Sequence, residues 1–549
     1  MMKGNKKWQK LIVGALTGMM CLTCVTACGG LRPNSGEEVD ENRTQVYVKY
    51  YNGGLGKSWM PALKEAFEKL HPEIQIMPLP GISDMDAGTI LNKFTTEKAD
   101  LYFMDYVGSE YLKQFRTKGY IADMTKYIKD EKLSEFGEDK TLWDKVTPAV
   151  KDYYDVEGKV YALPWYQASY QMIYDVALFQ EKKYYVDSAG AWNDGTAKSA
   201  GQDGIAGTFD DGLPVTQSDF FALLDKMVDD GVLPLTFLGS QAYYFTSYLT
   251  NMFADYEGYN DFMLNYTLEG EDSDFGEVTL EDAYRLKNGQ SGKKYALEFT
   301  ERLITNPDYY STKTFQTSHT NYAAQDEFLL SCELSKESSK VKPVAMIVDG
   351  PWWEREANDT MNVMVDEYKN DAYAYGTREF GIMPMPQADD GSSAEGNTVA
   401  CTSGCSLIFM NNASQVKDAA GLFLQFCHSD EGLRIATAES GVMRPYNYTM
   451  TQEYLDKMTP FGRLTYEYNN SAQIVFEELP VSRFLQDEGA KYCSYLYTWV
   501  STVNTSANVA KYFQPGQEGH SVSEYLKGMA VDPAPWQDAV EEYRFRTEE

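Results

Sequence analysis

VYVKYYNGGLGKSWMPALKEAFEKLHPEIQIM, Val46 to Met77, sets the architecture of this chain. Val46–Tyr51 is β-branched and aromatic, the composition of a strand. Over Lys57–Leu70, Trp59, Leu63, Ala66, Phe67 and Leu70 fall at helical spacing, and His71-Pro72 ends the helix. Ile74–Met77 is a second strand. The pattern then repeats: Ile90, Leu91 and Phe94 mark a helix, Ala99–Met104 (ADLYFM) a strand, and Leu112, Phe115 and Tyr120 a further helix. Strand–helix–strand repetition predicts an α/β fold with a mostly parallel sheet. Ligands meet such sheets beyond the carboxyl ends of the strands. The loops 52–57 and 105–109 are therefore expected to wall a site.

Upstream of this unit the chain reads as an export signal. Lys3, Lys6, Lys7 and Lys10 precede an apolar stretch, Leu11–Leu22, and then Val25-Thr26-Ala27-Cys28. A basic start, a short apolar core and small residues before a break describe a secretory signal. The apolar core, interrupted by Gly14, Thr17 and Gly18, is too short for a membrane span. V-T-A-C resembles a bacterial lipobox, which implies cleavage after residue 27 and a lipid on Cys28. Residues 28–44, nearly free of apolar side chains, read as a solvated tether.

The 549 residues include 49 Lys and Arg against 81 Asp and Glu, a net charge of -32; losing residues 1–27 makes it -36. Nucleic-acid binders neutralise phosphates with clustered cations, so this balance argues against one. Four scattered His argue against a His-rich metal centre. Five Cys outside the signal, Cys332, Cys401, Cys405, Cys427 and Cys493, form no regular framework, and buried free thiols are expected. Gly53–Ser58 imitates a phosphate loop, but the Walker pattern needs Gly where Tyr51 stands. Thr402-Ser403-Gly404-Cys405 is not a nucleophile elbow.

A series of landmarks resembles the bacterial extracellular solute-binding proteins of family 1, the sugar-type receptors of ABC importers, with maltose-binding protein a distant member. They run in order: YYNGG (Tyr50–Gly54), HPEIQI (His71–Ile76), ADLYFMD (Ala99–Asp105), GKVYALPW (Gly158–Trp165), MIYD (Met172–Asp175) and VAMIVDGPWW (Val344–Trp353). FGIMPMP (Phe380–Pro386), AAGLFLQF (Ala419–Phe426), HSDEGL (His428–Leu433) and SGVMRPY (Ser440–Tyr446) follow. The resemblance implies a two-lobed periplasmic-binding-protein type II fold with a hinge and an interlobe cleft. The first lobe would hold 45–163 plus 398–447, and the second 164–397 plus 448–549. It also implies a monomer held on the outer face of the cell membrane only by its lipid. Such a receptor would capture a sugar, an oligosaccharide, and pass it to ABC permease subunits without chemistry or a required cofactor.

A sugar offers an apolar C–H face and a rim of hydroxyls, matched by aromatic platforms with carboxylates and amides around them. Trp352 corresponds to the family Trp that stacks on sugar, whereas Trp353 is expected to pack. Tyr51 and Asn52 end one strand and Asp105 and Tyr106 another, although Asn52 also suits a plain turn with Gly53-Gly54. Trp165, Tyr166 and Gln167 follow Pro164 where the chain crosses between lobes, and one of them is expected at the ligand. Arg444 returns near the cleft or serves as a structural cation. Tyr495 and Trp499, in an aromatic helical stretch, read as core. The Gly-rich stretch Asp203–Gly212 offers Asp203, Asp210 and Asp211 as calcium ligands, or else a pair of Asp-capped turns. A secreted glycosidase needs the same aromatics and paired acids, and a surface lipoprotein serving protein contacts would keep the tether. The order of the landmarks favours the receptor.

Overall fold

A computed structural model describes residues 35–81, 87–94, 99–105, 107–402, 407–488, 496–516 and 520–547. Cys28, the signal and residues 29–34 of the tether lie outside these residues, as do Tyr106, Cys405, Cys493 and Tyr495. The strands that position the site are β1 (Thr44–Tyr51), β2 (Ile74–Gly81), β3 (Leu101–Phe103), β4 (Leu163–Pro164), β5 (Gln171–Asp175), β6 (Leu233–Phe237), β7 (Val344–Asp349), β8 (Phe380–Met383), β9 (Thr398–Cys401), β10 (Leu407–Met410) and β11 (Gln473–Phe476).

The first sheet runs β2-β1-β3-β10-β4. β1 pairs parallel with β2 and with β3, as the strand–helix–strand pattern predicts. β10, returning from late in the chain, is antiparallel to both β3 and β4. Local sequence pattern carries no information about that long-range partner. β2 continues through Pro78 and Pro80 to Gly81, beyond the expected end at Met77. Proline interrupts a central strand because it lacks an N–H, but β2 is an edge strand and its second side needs no donors. Helix α1 (Trp59–Leu70) buries Trp59, Met60, Leu63 and Phe67 toward this sheet's core.

The second sheet runs β8-β5-β7-β6, with β7 parallel to β6 and antiparallel to β5. Two strands outside both sheets, β9 and β11, pair in parallel. Helices α2 (Ala242–Thr267), kinked at Gly258, and α3 (Asn321–Glu337) flank this half, and the short α4 (Trp353–Glu356) follows the turn after β7. One apolar cluster fills the first half and continues onto one face of the second sheet through Ile173, Ile347 and Ile382, a second covers that sheet's other face, and a third, smaller cluster lies around Phe484 and Trp536. The mixed α/β architecture with two sheets is the type II binding-protein fold. No described helix is long and apolar enough to cross a membrane.

Between the sheets the chain crosses at 165–170, where Gln167 N–H donates to the Met443 carbonyl at 3.0 Å. Thr402 N–H donates to the Ala168 carbonyl at 2.8 Å, and Glu477 N–H to the Cys401 carbonyl at 3.0 Å. Three strands of chain thus run side by side at the joint. Cys332, Cys401 and Cys427 are free thiols.

Candidate ligand cleft

A cavity of about 890 Å³ lies at this joint. Its walls come from the loop after β1, the end of β3, the crossing segment, the starts of α2 and α3, the turn after β7, and residues 477–478 and 497–500. Each wall is the end of a strand or helix, where side chains are free to face a ligand rather than a core.

Tyr51, Asp105, Tyr166 and Trp352 all line it, so four of the residues singled out by sequence meet in one place. Tyr166 donates its hydroxyl to Asp105 Oδ1 at 2.6 Å. Burial pushes the Asp105 carboxyl up, and the Tyr166 hydrogen bond pulls it part of the way back. Tyr51 Oη accepts the Gly54 N–H at 3.4 Å. Burial and then the Asp105 charge raise the Tyr51 hydroxyl well above its ordinary range, so both phenols in this group are neutral donors. Trp352 stands edge-on to Tyr170, with ring centroids 5.4 Å apart and planes at 86°, and to Tyr166 at 6.3 Å and 69°. A Cβ at Gly54 would lie 2.8 Å from Trp352 Cγ, so the loop after β1 reaches Trp352 across the cleft only because it carries glycine there.

Other expected residues sit elsewhere. Trp165 is 1% exposed and packs against Trp59, Phe103 and His428, with ring centroids 5.0–5.7 Å apart. It belongs to the core of the first half, because the crossing segment is still inside that half at residue 165. Arg444 is fully buried. Its guanidinium lies 4.5 Å over Trp165 and donates to the carbonyls of Val442, Met443 and Ala436. Burial lowers it to about 10. It is therefore a structural cation that satisfies carbonyls at the end of a helix. Gln167 is buried and joins the crossing segment to Met443 through its backbone, away from the cavity wall. Asn52 is partly buried beside the cleft, and its Oδ1 has no hydrogen-bond partner among the described residues, although it is not part of the wall. Trp353 is fully buried against Phe328, Phe380 and Phe461, the packing role expected of it.

The sequence did not single out Tyr170, Tyr243, Tyr244, Tyr322, Glu356 or Glu477, all of which line the cavity. The Tyr243-Tyr244 doublet lies in the first turn of α2, starting two residues past its N-cap Gln241. That doublet was the available signal, but it stands among 41 Tyr, most of which serve cores. Trp499, read as core, both lines the cavity and donates Nε1 to Thr250 Oγ1 at 3.0 Å. Among the described residues the lining holds four carboxyl side chains and no Lys, Arg or His. Burial and then the neighbouring Glu478 raise Glu477 as well.

The Gly-rich stretch is not arranged as a calcium cage. Asp210 Oδ2 accepts N–H groups of Gln202 and Asp203, at 2.5 and 3.0 Å, and its Oδ1 accepts the Thr208 hydroxyl. Asp203 Oδ1 accepts from Ile205 and Thr208, and Asp211 Oδ2 from Gly207. Asp203 and Asp210 meet only at the Thr208 hydroxyl, and all three carboxylates otherwise accept nearby backbone amides. Among the described residues no group of three acidic, His or Cys side chains is placed to hold a metal ion.

The family model for bacterial extracellular solute-binding proteins matches residues 52–433. No curated protein matches the chain. Among solved structures, RafE in complex with raffinose aligns at a TM-score of 0.52 and 15% identity, over 90% of this chain and 100% of that one. The apo form of RafE, from Streptococcus pneumoniae, aligns at 0.53 and 14%, over 91% and 100%. The GacH receptor of Streptomyces glaucescens, solved unliganded and with acarbose, aligns at 0.52 and 15%, over 91% and 99%. Lmo0181 from Listeria monocytogenes, an ABC substrate-binding protein in complex with cycloalternan, aligns at 0.52 and 14%, over 91% and 99%. At these identities the likeness is one of fold.

Proposed function

The chain belongs to the bacterial extracellular solute-binding proteins, and from that membership we propose that it is the lipid-anchored receptor of an ABC importer, capturing an oligosaccharide by cleft closure. The observation that carries the ligand class is the cavity lining, which combines aromatic rings with carboxyls and hydroxyls and, among the described residues, has no cationic side chain. Its four carboxyls repel anionic solutes, whose carboxylates and phosphates are recognised by Lys and Arg. A hydroxyl-rich neutral ring needs apolar faces to stack on and acceptors for its O–H groups, which Tyr170, Trp352, Asp105 and Glu356 supply. The similar folds of RafE, GacH and Lmo0181, described with raffinose, acarbose and cycloalternan, support the same class.

In this reading the two halves rotate about the crossing strands, and ligand adds contacts available only in the closed form. Closure is then driven by the difference in affinity between the two states. The closed form is what the permease subunits recognise, and Cys28 carries the lipid that keeps the receptor at the outer membrane face. Calorimetry on a panel of neutral oligosaccharides tests the proposal. Tight binding of one class without turnover supports it. Hydrolysis of a glycan, or a silent panel, would sink it.

A further inference from the structure

β7 ends at Asp349, and α4 ends at Glu356 on the cavity wall. Between them stands Gln325 of α3. Its Nε2 donates at 2.9 Å to Asp349 Oδ2 and at 2.9 Å to Glu356 Oε2. Asn321 Nδ2 adds a longer bond to Glu356 Oε2 at 3.3 Å, and Gly350 N–H donates to Asp349 Oδ1 at 2.7 Å. Every partner that the described residues give these two carboxyls is neutral. Two acids bonded to one nitrogen are no more than about 6 Å apart, and at that distance in a buried setting both do not ionise together.

Among the described residues no cationic side chain pairs with the two carboxyls: Arg355, next to Glu356 on α4, lies over the Tyr375 ring and donates to the Ala438 carbonyl. Asp105 faces the pair from the end of β3, Tyr170 from the crossing segment, Tyr243 and Tyr244 from α2, and Tyr322 from α3. All are acidic or neutral. Asp349 and Gln325 are each 1% exposed, so water does not screen them. Burial first, and then the Glu356 charge, pushes the Asp349 carboxyl up to about 8, against the pull of Gln325 and the Gly350 N–H. Burial raises Glu356 too.

We infer that Gln325 and Asp349 are positioning residues: with one proton shared by Asp349 and Glu356, the Gln325 amide holds the Glu356 carboxyl at the cleft wall, where it receives ligand hydroxyls. Loss of that proton sets two charges on one amide and drives Glu356 out of place. Solute affinity therefore falls as the pair ionises. The inference rests on the proposed cleft reading for its affinity arm, while its protonation arm needs no ligand.

The test uses the full mature chain, with D349N, which mimics the neutral carboxyl, and Q325M, which keeps the size and removes the donor. Without ligand, the thermal midpoint of wild type relative to D349N is followed from about pH 4 to about pH 9. Because the Asp349 carboxyl is raised on folding, wild type loses stability relative to D349N as pH rises through this window and levels off above about 8. A flat difference overturns the shared proton, whatever the glycans do. With raffinose and maltotetraose as probes, wild type weakens about tenfold above about pH 8, D349N holds its affinity, and Q325M is weak throughout. A parallel loss in wild type and D349N, or wild-type affinity in Q325M, overturns the positioning role. Should Q325M fail to fold, the D349N profile decides alone. If neither probe binds wild type while the ligand-free difference behaves as expected, the saccharide reading falls and the proton pair stands.

Discussion

Trp352 is the residue on which both halves of the cleft converge, meeting Tyr166 and Tyr170 on the crossing segment and Gly54 across the gap. Trp352→Ala removes the platform and is expected to weaken glycan binding about 10- to 100-fold, or roughly 1.4–2.8 kcal/mol, as measured by calorimetry. Gly54→Val puts a side chain where Trp352 Cγ would lie 2.8 Å from its Cβ. The expected result is weaker binding with an unchanged thermal midpoint, because the clash arises across the cleft and not within either core. Unchanged affinity in Gly54→Val would show that this approach plays no part in the bound state. Trp352, Tyr51 and Asp105 were legible because each ends or follows a strand inside a quoted landmark, and Tyr166 because it comes directly after one. Trp165 and Arg444 satisfy the same criteria in one dimension. Whether a side chain at a crossing faces the core or the gap depends on the exact residue at which the chain leaves its sheet, and no local pattern encodes that.

At the scale of elements, β5, β8 and the turn into the next helix are locked by one buried ion pair. Arg378 bonds Asp175 through Nε at 3.1 Å and through Nη2, and donates Nη1 to the Leu329 carbonyl at 3.2 Å. Asp175 also caps the helix that starts at Val176, accepting the Leu178 N–H at 3.1 Å. Arg378→Met leaves that carboxylate buried and unpaired, and is expected to cost about 3–5 kcal/mol by urea denaturation. Lys293, buried on the helix Ser291–Thr305, donates Nζ to the Leu496 carbonyl at 2.5 Å beside the cavity-lining residues 497–500. Burial lowers it to about 7, against an ordinary value near 10.4 when unfolded. The unfolded chain thus binds more protons between those values, so stability rises with pH across that window. Lys293→Met should diminish this rise to the part due to Lys287, which burial also lowers, read as the urea midpoint at about pH 7 and about pH 9. The early strands and helices were legible from period alone. The end of β2 was not, because proline stops a strand only where both sides need donors, and edge position is a property of the assembled sheet. β10 escaped the parallel expectation for a similar reason, since its partners β3 and β4 lie some 300 and 240 residues earlier.

For the molecule as a whole, two sheets are joined by short crossings, one apolar cluster continues from the first half onto the second sheet, and the cavity opens at the joint. In the proposed receptor, closure bends the molecule at these crossings. A contact already spans the gap, with Arg355 Nη2 donating to the Ala438 carbonyl at 3.4 Å. The ordered landmarks made the two-lobed class legible from sequence, but the acid-rich lining, cation-free among the described residues, became visible only when residues from distant segments met. The central claim is that this lining binds a neutral oligosaccharide by stacking and hydroxyl recognition. Its most direct test is calorimetry of the mature chain against a panel of neutral, amino-substituted and uronic-acid oligosaccharides, repeated on Trp352→Ala. The account predicts that a neutral member binds wild type, loses about tenfold or more on Trp352→Ala, and is recovered intact. Preference for the uronic acids, or equal binding by both proteins, would contradict it.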